Sequence, residues 1–194
     1  MRGLEQIPWL YDLGMTVMEA TGLGRWRRWL VAGSTGRVLD VGSGTGRNLA
    51  LLETSVPPVG IDPCLPSLLA ARRRAPGAWL VQARAEALPF RDGLFDTVLS
   101  GLAFCSVGDP AAGLREVRRV LRPGGGFRLL EHVRAEPVWQ ARLQDRIQPL
   151  WTLVTGGCHP NRDTEATVEA AGFRPDPGSR RAQGTMRRWT ARPG

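Results

Sequence analysis

The stretch Val38–Leu49 reads VLDVGSGTGRNL, and it is the part of the chain that decides the fold. A short apolar strand runs into glycines at positions 42, 44 and 46, and we expect a helix to follow. Glycine has no Cβ, so this turn can adopt positive φ and let a ligand approach the main chain closely. The unpaired amides of the helix would point at the same place. The stretch therefore predicts a ligand site at the end of a strand, with a tight turn that binds nothing as the alternative.

The order of the glycines distinguishes between two kinds of ligand. The dinucleotide fingerprint G-x-G-x-x-G requires a third glycine where this chain has Arg47. The observed order, D-x-G-x-G-x-G, resembles the first motif of the class I S-adenosyl-L-methionine (SAM)-dependent methyltransferases. This resemblance implies SAM as the cofactor. We expect its site to include Asp40, Gly42, Ser43, Gly44, Thr45, Gly46 and Asn48.

The next apolar segment, Val59–Asp62, ends in a carboxylate. Asp62 follows the glycine turn at about the separation at which α/β nucleotide folds place the acid that accepts both ribose hydroxyls. We interpret Asp62 as that acid, with Pro63 beside it in the cofactor site. The alternative is a helix N-cap at Asp62 ahead of a proline at the first helical position.

Strands alternate with helices along the rest of the chain, which indicates right-handed crossovers and a mostly parallel sheet covered on both faces. We predict a doubly wound α/β fold of seven strands, in which Phe173–Pro175 and Met186–Ala191 form an antiparallel closing hairpin joined by a mobile loop. The length of 194 residues suits a single domain. We expect a helical cap over residues 1–33 and a Rossmann-like core over residues 34–194.

The composition indicates which kinds of partner the protein binds. All 26 basic residues are arginines, and the formal net charge is +8. Arg115, Arg118, Arg119 and Arg122 recur at helical spacing, which favours a solvated helix face over a nucleic-acid contact. No apolar run approaches the roughly 18 residues of a membrane span, and the N-terminal residues do not resemble a secretory signal. We therefore expect a cytoplasmic protein that acts on a small molecule; the sequence does not predict its oligomeric state.

Three cysteines, at positions 64, 105 and 158, are an odd number without metal-knuckle spacing, and this predicts reduced thiols rather than a disulfide framework. Cys105, Cys158, His132 and His159 are the available metal ligands. Two of them are adjacent in sequence and seldom reach one tetrahedral ion, so we expect no metal.

A second resemblance concerns the segment Ala83–Phe90. It is similar to the loop that closes over adenine in ubiquinone- and menaquinone-type methyltransferases, which usually begins Gly-Asp-Ala. Here the aspartate is replaced by Arg84, so the resemblance implies a larger part for the backbone at Ala85 and Glu86, with Leu102 on the other side of the cofactor. An exposed loop acid is the alternative interpretation of Glu86.

Further motifs resemble the thiol-methylating, methyltransferase-like enzymes of vertebrates. They are Cys-Ser-Val after the fourth strand, Glu-Val-Arg-Arg-Val-Leu-Arg-Pro-Gly-Gly, Glu-His-Val, and Gly-Gly-Cys-His followed by Arg-Asp-Thr. The resemblance spans nearly the whole chain and implies methyl transfer to a small, apolar acceptor, with a thiol favoured over carbon, oxygen or nitrogen. We place Tyr11, Cys105 and His159 in the acceptor pocket; Tyr11 as a packed helix residue is the alternative.

His132 is the candidate general base. It follows the fifth strand, at the sheet edge where doubly wound folds bind ligands, and histidine changes charge near neutral pH. The alternatives are a histidine that only shapes the pocket, and His159 as the base. Two other function classes stay open at this point, namely SAM binding without catalysis and a nicotinamide-dependent oxidoreductase.

Overall fold

The computed structural model describes residues 7–155 and 157–194. Within them the chain forms an eight-stranded sheet in the order β3-β2-β1-β4-β5-β8-β6, with β7 paired to β8. Strands β1 to β5 are parallel, and β6, β7 and β8 are antiparallel to their neighbours. The strands are β1 Val38–Val41, β2 Val59–Asp62, β3 Trp79–Gln82, β4 Phe95–Gly101, β5 Leu121–His132, β6 Phe173–Pro175, β7 Arg181–Gln183 and β8 Met186–Pro193.

Six α-helices connect these strands in the described residues. They are α1 Pro8–Met18, α2 Gly24–Ala32, α3 Leu65–Arg74, α4 Pro110–Val120, α5 Val138–Thr155 and α6 Thr164–Ala170. A π-helical segment, Glu19–Leu23, lies between α1 and α2, and the chain kinks within it at Gly22, whose φ of 131° is not helical. None of the helices in the described part of the chain is long and apolar enough to cross a bilayer.

The α/β class and the mostly parallel sheet are confirmed, but the count of seven strands is wrong. The extra strand, β7, lies in the segment predicted to be a mobile loop, where it pairs with β8 through a turn at Gly184. The fifth strand begins at Leu121, ahead of the glycines at positions 124 to 126, because Leu121 pairs with Phe95 across a register shift in β4. Local sequence does not reveal these pairings, since they depend on a partner strand.

The helix expected after the glycine turn is absent. Ala50 donates one helical hydrogen bond to Gly46, but Leu51 and Leu52 bond three residues back, and the segment Leu49–Leu51 is a single 3₁₀ turn. Such tight turns rarely propagate. The ligand-facing surface at this point is therefore a series of turns rather than the N-terminus of a long helix.

Helix α5 leaves most of its large apolar side chains exposed to solvent. The following residues are 43 to 66 % exposed: Trp139, Leu143, Ile147, Leu150 and Trp151. Trp9, Leu13 and Val17 on α1 are at least 61 % exposed. Both helices border the same cavity, so exposed apolar side chains of α1 and α5 lie near it.

Candidate cofactor and acceptor site

A cavity of about 900 Å³ opens at the carboxyl ends of the parallel strands, within the size range of small-molecule sites. The structure brings ten of the sequence-predicted residues to its walls. They are Tyr11, Gly42, Gly44, Asp62, Pro63, Ala85, Glu86, Leu102, Cys105 and His132.

The other predicted residues lie outside the lining. They are Asp40, Ser43, Thr45, Gly46, Asn48 and His159. Asp40 is fully buried in β1, where its carboxylate accepts a hydrogen bond from Asn48 Nδ2 at 2.9 Å. Burial is the main reason why the pKa of Asp40 rises to about 7. Asn48 also accepts from Arg27, so this pair shapes the turn from beneath.

The glycine turn has the geometry that the motif requires. Gly42, Gly44 and Gly46 all have positive φ, between 52° and 82°. A Cβ on Gly42 would lie 2.4 Å from the side chain of Ala103, whereas a Cβ on Gly44 would meet nothing within 4 Å. The space above Gly44 belongs to the cavity. The turn thus offers bare main chain to a ligand, as a SAM site needs.

Asp62 closes the turn from the neighbouring strand. Its carboxylate accepts from the amide of Gly44 at 3.0 Å and from the amide of Cys64 at 2.8 Å. Burial raises the pKa of Asp62, while these two hydrogen bonds oppose the rise. The N-cap alternative does not hold, because α3 begins at Leu65 with Cys64 at the cap position. The residue therefore links the ends of β1 and β2 and keeps a carboxylate at the cavity wall.

A charge network on the outer side of the turn was missed at the level of sequence. Asp12 of α1 accepts from Thr45 Oγ1 at 2.7 Å, from Arg47 Nε at 3.0 Å and from Arg74 Nη2 at 2.7 Å. Arg47 also pairs with Glu19. These contacts fasten α1 to the glycine turn and place Tyr11, Met15 and Met18 over the cavity. Arg47, which stands where a dinucleotide motif has its third glycine, is the residue from which this network could have been predicted.

Glu86 is a link between loops rather than an exposed acid. Its Oε1 accepts from the amides of Gly108 and Asp109 at 3.0 and 3.2 Å, and from Arg84 Nη2 at 3.0 Å. The proposed adenine loop is thereby held against the loop after β4, and Ala85 between them is buried at the cavity wall.

The loop after β4 is held by a buried acid, Glu131. Its Oε1 accepts from Ser100 Oγ at 2.5 Å and from the amides of Ala103 and Phe104 at 3.3 Å. Complete burial raises the pKa of Glu131 to about 7. Leu102 at the start of this loop has φ of 61°, a strained value for a branched residue, and its amide donates to Leu130 O at 2.7 Å. The strain places the Leu102 side chain at the cavity wall.

The far end of the cavity is formed by Cys105, His132, Trp151 and Cys158. Cys158 and Trp151 were not predicted as site residues; the Gly-Gly-Cys-His motif contained the signal, but we selected His159 from it. His159 lies outside the lining and contacts Gln148 through Nδ1 at 2.9 Å. Burial, together with the positive charge of Arg162, lowers the pKa of His159.

Arg119, on the arginine face of α4, has several structural partners. Arg119 donates to the carboxylates of Glu116 and Asp92 and to the carbonyls of Leu88 and Phe90. Among the described residues, no three His, Cys, Asp or Glu side chains converge to hold a metal ion.

A mostly parallel sheet with a positive-φ glycine turn after β1 and a carboxylate at the end of β2, both facing one large cavity, is the Rossmann-like architecture that the sequence predicted. Residues 39–129 match the family model described as a methyltransferase domain. This match places a methyltransferase domain within the chain.

Two curated relatives and one solved structure illustrate the similarity. The chain is 35 % identical over 152 residues to the thiol S-methyltransferase TMT1A of Homo sapiens, covering 73 % of this chain and 62 % of the relative. It is 37 % identical over 150 residues to the ubiquinone/menaquinone biosynthesis C-methyltransferase UbiE of Stenotrophomonas maltophilia, covering 70 % and 59 %. The chain thus spans about three fifths of the length of these relatives.

The solved structure is a SAM-dependent methyltransferase from Thermotoga maritima. It superposes with a TM-score of 0.67 at 19 % identity, covering 87 % of each chain. This likeness concerns the fold.

Proposed function

We propose that this chain transfers a methyl group from SAM to a small, apolar acceptor, and that the acceptor atom is a thiol sulfur. The observation that carries the proposal is the single cavity that joins the glycine turn at Gly44 to the Cys105–His132–Trp151 end. The 35 % identity to a thiol S-methyltransferase supports a thiol, while the UbiE relative is named for transfer to carbon.

The residues fit the cofactor in three respects. Gly42 and Gly44 expose main chain to the cavity, Asp62 supplies a carboxylate for the ribose hydroxyls, and Ala85 with Leu102 offers apolar walls for adenine. Bound SAM would supply an electrophilic methyl group on a sulfonium, whose positive charge disappears in an in-line displacement. The roles of these residues in binding are part of the proposal.

The chain's own contribution is to position and desolvate the acceptor. Holding the acceptor sulfur at near-attack geometry supplies much of the acceleration in such displacements. Apolar side chains at the cavity and the exposed apolar residues of α1 and α5 around it favour an apolar acceptor. His132 lines the acceptor end and is proposed to accept the proton of the thiol, directly or by way of its neighbours.

A matched acceptor panel tests the function. Hexanethiol, hexanol and hexylamine share a chain length and differ in the acceptor atom, so release of S-adenosylhomocysteine with each compares the atoms directly. We expect turnover with the thiol. Turnover with the amine alone, or with none of the three in the presence of bound SAM, contradicts the thiol proposal. Failure of SAM to bind in isothermal titration contradicts the cofactor assignment for this chain.

His132 has its own test. A thiol with a pKa near 8.5 is only a few per cent ionised at pH 7, and general-base help is typically worth about 10² to 10⁴-fold. We therefore expect His132→Ala to lose turnover most strongly at pH 6. If the variant keeps full turnover at that pH, proximity alone accounts for the reaction.

A further inference from the structure

Cys105 and Cys158 are far apart in sequence but meet at the acceptor end of the cavity. The loop after β4 carries Cys105 and the segment after α5 carries Cys158, and the amide of His159 donates to the carbonyl of Cys105 at 2.8 Å. Arg162 Nη1 donates to the carbonyls of Phe104 and Val107, at 2.8 and 2.5 Å. These backbone contacts hold the two cysteine segments side by side.

The side chains of both cysteines line this end of the cavity, together with His132 and Trp151. Both cysteines are at least 96 % buried, yet both line the cavity, so a small reagent reaches them only through the acceptor end. Cys64 lies beside Asp62 at the other end and is half-buried.

The surroundings of Cys158 favour its thiolate. The hydrogen bond from Cys105, aided by those from His132 and Trp151, outweighs burial and lowers the pKa of Cys158 to about 5. The other charged or titratable groups around the pair are Glu131, His159 and Arg162. A thiolate is the reactive form of cysteine in disulfide exchange.

We propose that Cys105 and Cys158 form a thiol–disulfide exchange site, in which small disulfides entering the acceptor end oxidise the pair and block methyl transfer. The Cys158 thiolate attacks one sulfur of the disulfide RSSR, forms a Cys158–S–S–R bond and releases RS⁻. Cys105 then loses its proton to solvent and attacks the Cys158 sulfur, which releases the second RS⁻. The disulfide RSSR is reduced to two thiols, and the two cysteines are oxidised to one disulfide.

The exchange itself goes beyond the proposed function and needs neither SAM nor an acceptor, whereas the block of methyl transfer rests on the proposed function. If the acceptor is a thiol, its oxidised form becomes a reversible inhibitor at the same site. The Cys105–Cys158 bond would occupy the acceptor end and leave the glycine turn and Asp62 unaltered, so SAM binding should persist.

The experiment uses the reduced full chain, glutathione disulfide as the probe, and intact mass with peptide mapping as the readout. We expect a loss of 2 Da and a peptide linking residues 105 and 158. Cys105→Ser should stop at a glutathione adduct on Cys158, because the resolving thiol is missing. Cys64→Ser is the matched control and should form the same link as the unaltered chain. Absence of the 105–158 link in the native protein, or an adduct on Cys64 alone, overturns the proposal.

A rate profile separates a reactive site from slow oxidation of buried thiols. If the surroundings hold the pKa of Cys158 near 5, its exchange rate should be nearly constant between pH 6 and 8, whereas an ordinary thiol speeds up by roughly 10-fold per pH unit in this range. A rate for Cys158 that climbs with pH like that of an ordinary thiol contradicts the inference. Where methyl transfer has been established, oxidation should abolish it while SAM affinity changes less than about twofold, and dithiothreitol should restore it.

Discussion

The cofactor end of the cavity includes a glycine turn from one short segment, whereas the acceptor end is lined by side chains from distant segments. Gly42 and Gly44 are neighbours in sequence, and Asp62 follows on the adjacent strand. Cys105, His132 and Cys158 come from three segments that are far apart in sequence. Local sequence thus defines the glycine turn of the first end, and the second end exists only when the sheet and α5 are assembled.

Both ends contain a fully buried carboxyl group with a raised pKa, and this permits a direct comparison. The pKa of Asp40, under the glycine turn, and that of Glu131, under the loop after β4, both rise to about 7, mainly through burial. Each group binds a proton more tightly in the folded state than in the unfolded state. Its stabilising contribution is complete below the unfolded pKa and is lost as the pH rises through 7.

The largest expected effect is on this pH dependence. Glu131→Gln mimics the protonated acid, so its stability relative to the unaltered chain should rise by about 2 to 3 kcal/mol between pH 5 and pH 8. The variant is compared with the unaltered chain because Cys158, whose pKa is lowered to about 5, makes the folded state of both chains more stable as the pH rises. The difference between the two chains removes this opposite effect. Urea unfolding of both chains at pH 5 and pH 8 measures the difference in their free energy of unfolding. If this difference is the same at the two pH values, Glu131 ionises normally.

Asp62→Ala should give the next largest effect, at the cofactor end only. The substitution removes the carboxylate proposed for the ribose and the acceptor for the amides of Gly44 and Cys64. We expect SAM affinity to fall by about 1.5 to 3 kcal/mol, roughly 10- to 150-fold in Kd. Asp92→Ala is the control, because that carboxylate is largely exposed and pairs with Arg119. Unchanged affinity in isothermal titration would remove Asp62 from the site.

Gly44→Ala tests whether bare main chain matters at the cofactor end. The added methyl group enters the cavity and strains a residue at positive φ, so we expect SAM affinity to fall by about tenfold. Gly124→Ala has the same kind of strain, with φ of 76° and open space around its Cβ, but it lies outside the cavity lining. Both variants should lose similar stability. Equal SAM affinity in the two would contradict the proposal that SAM binds against bare main chain at Gly44.

Trp151→Ala should give the smallest effect, at the acceptor end only. The side chain is 43 % exposed and lines the cavity, so its removal takes away roughly 1 kcal/mol of apolar contact with an acceptor, or about fivefold in KM. SAM affinity should stay the same. Leu153→Ala on the same helix, 63 % exposed and outside the lining, is the control. Equal KM values for the two variants would place the acceptor elsewhere.

The sequence by itself determined the parallel α/β sheet and the cofactor end, because both depend on local patterns. Alternating strands and helices define the sheet, and the glycines at 42, 44 and 46 define the turn, since only they tolerate its positive φ values. Only the tertiary structure decided the rest. The pairing of β7, the role of Glu86 between two loops and the backbone contact between the segments that carry Cys105 and Cys158 all depend on long-range packing. Such contacts have no local periodicity or spacing from which to read them.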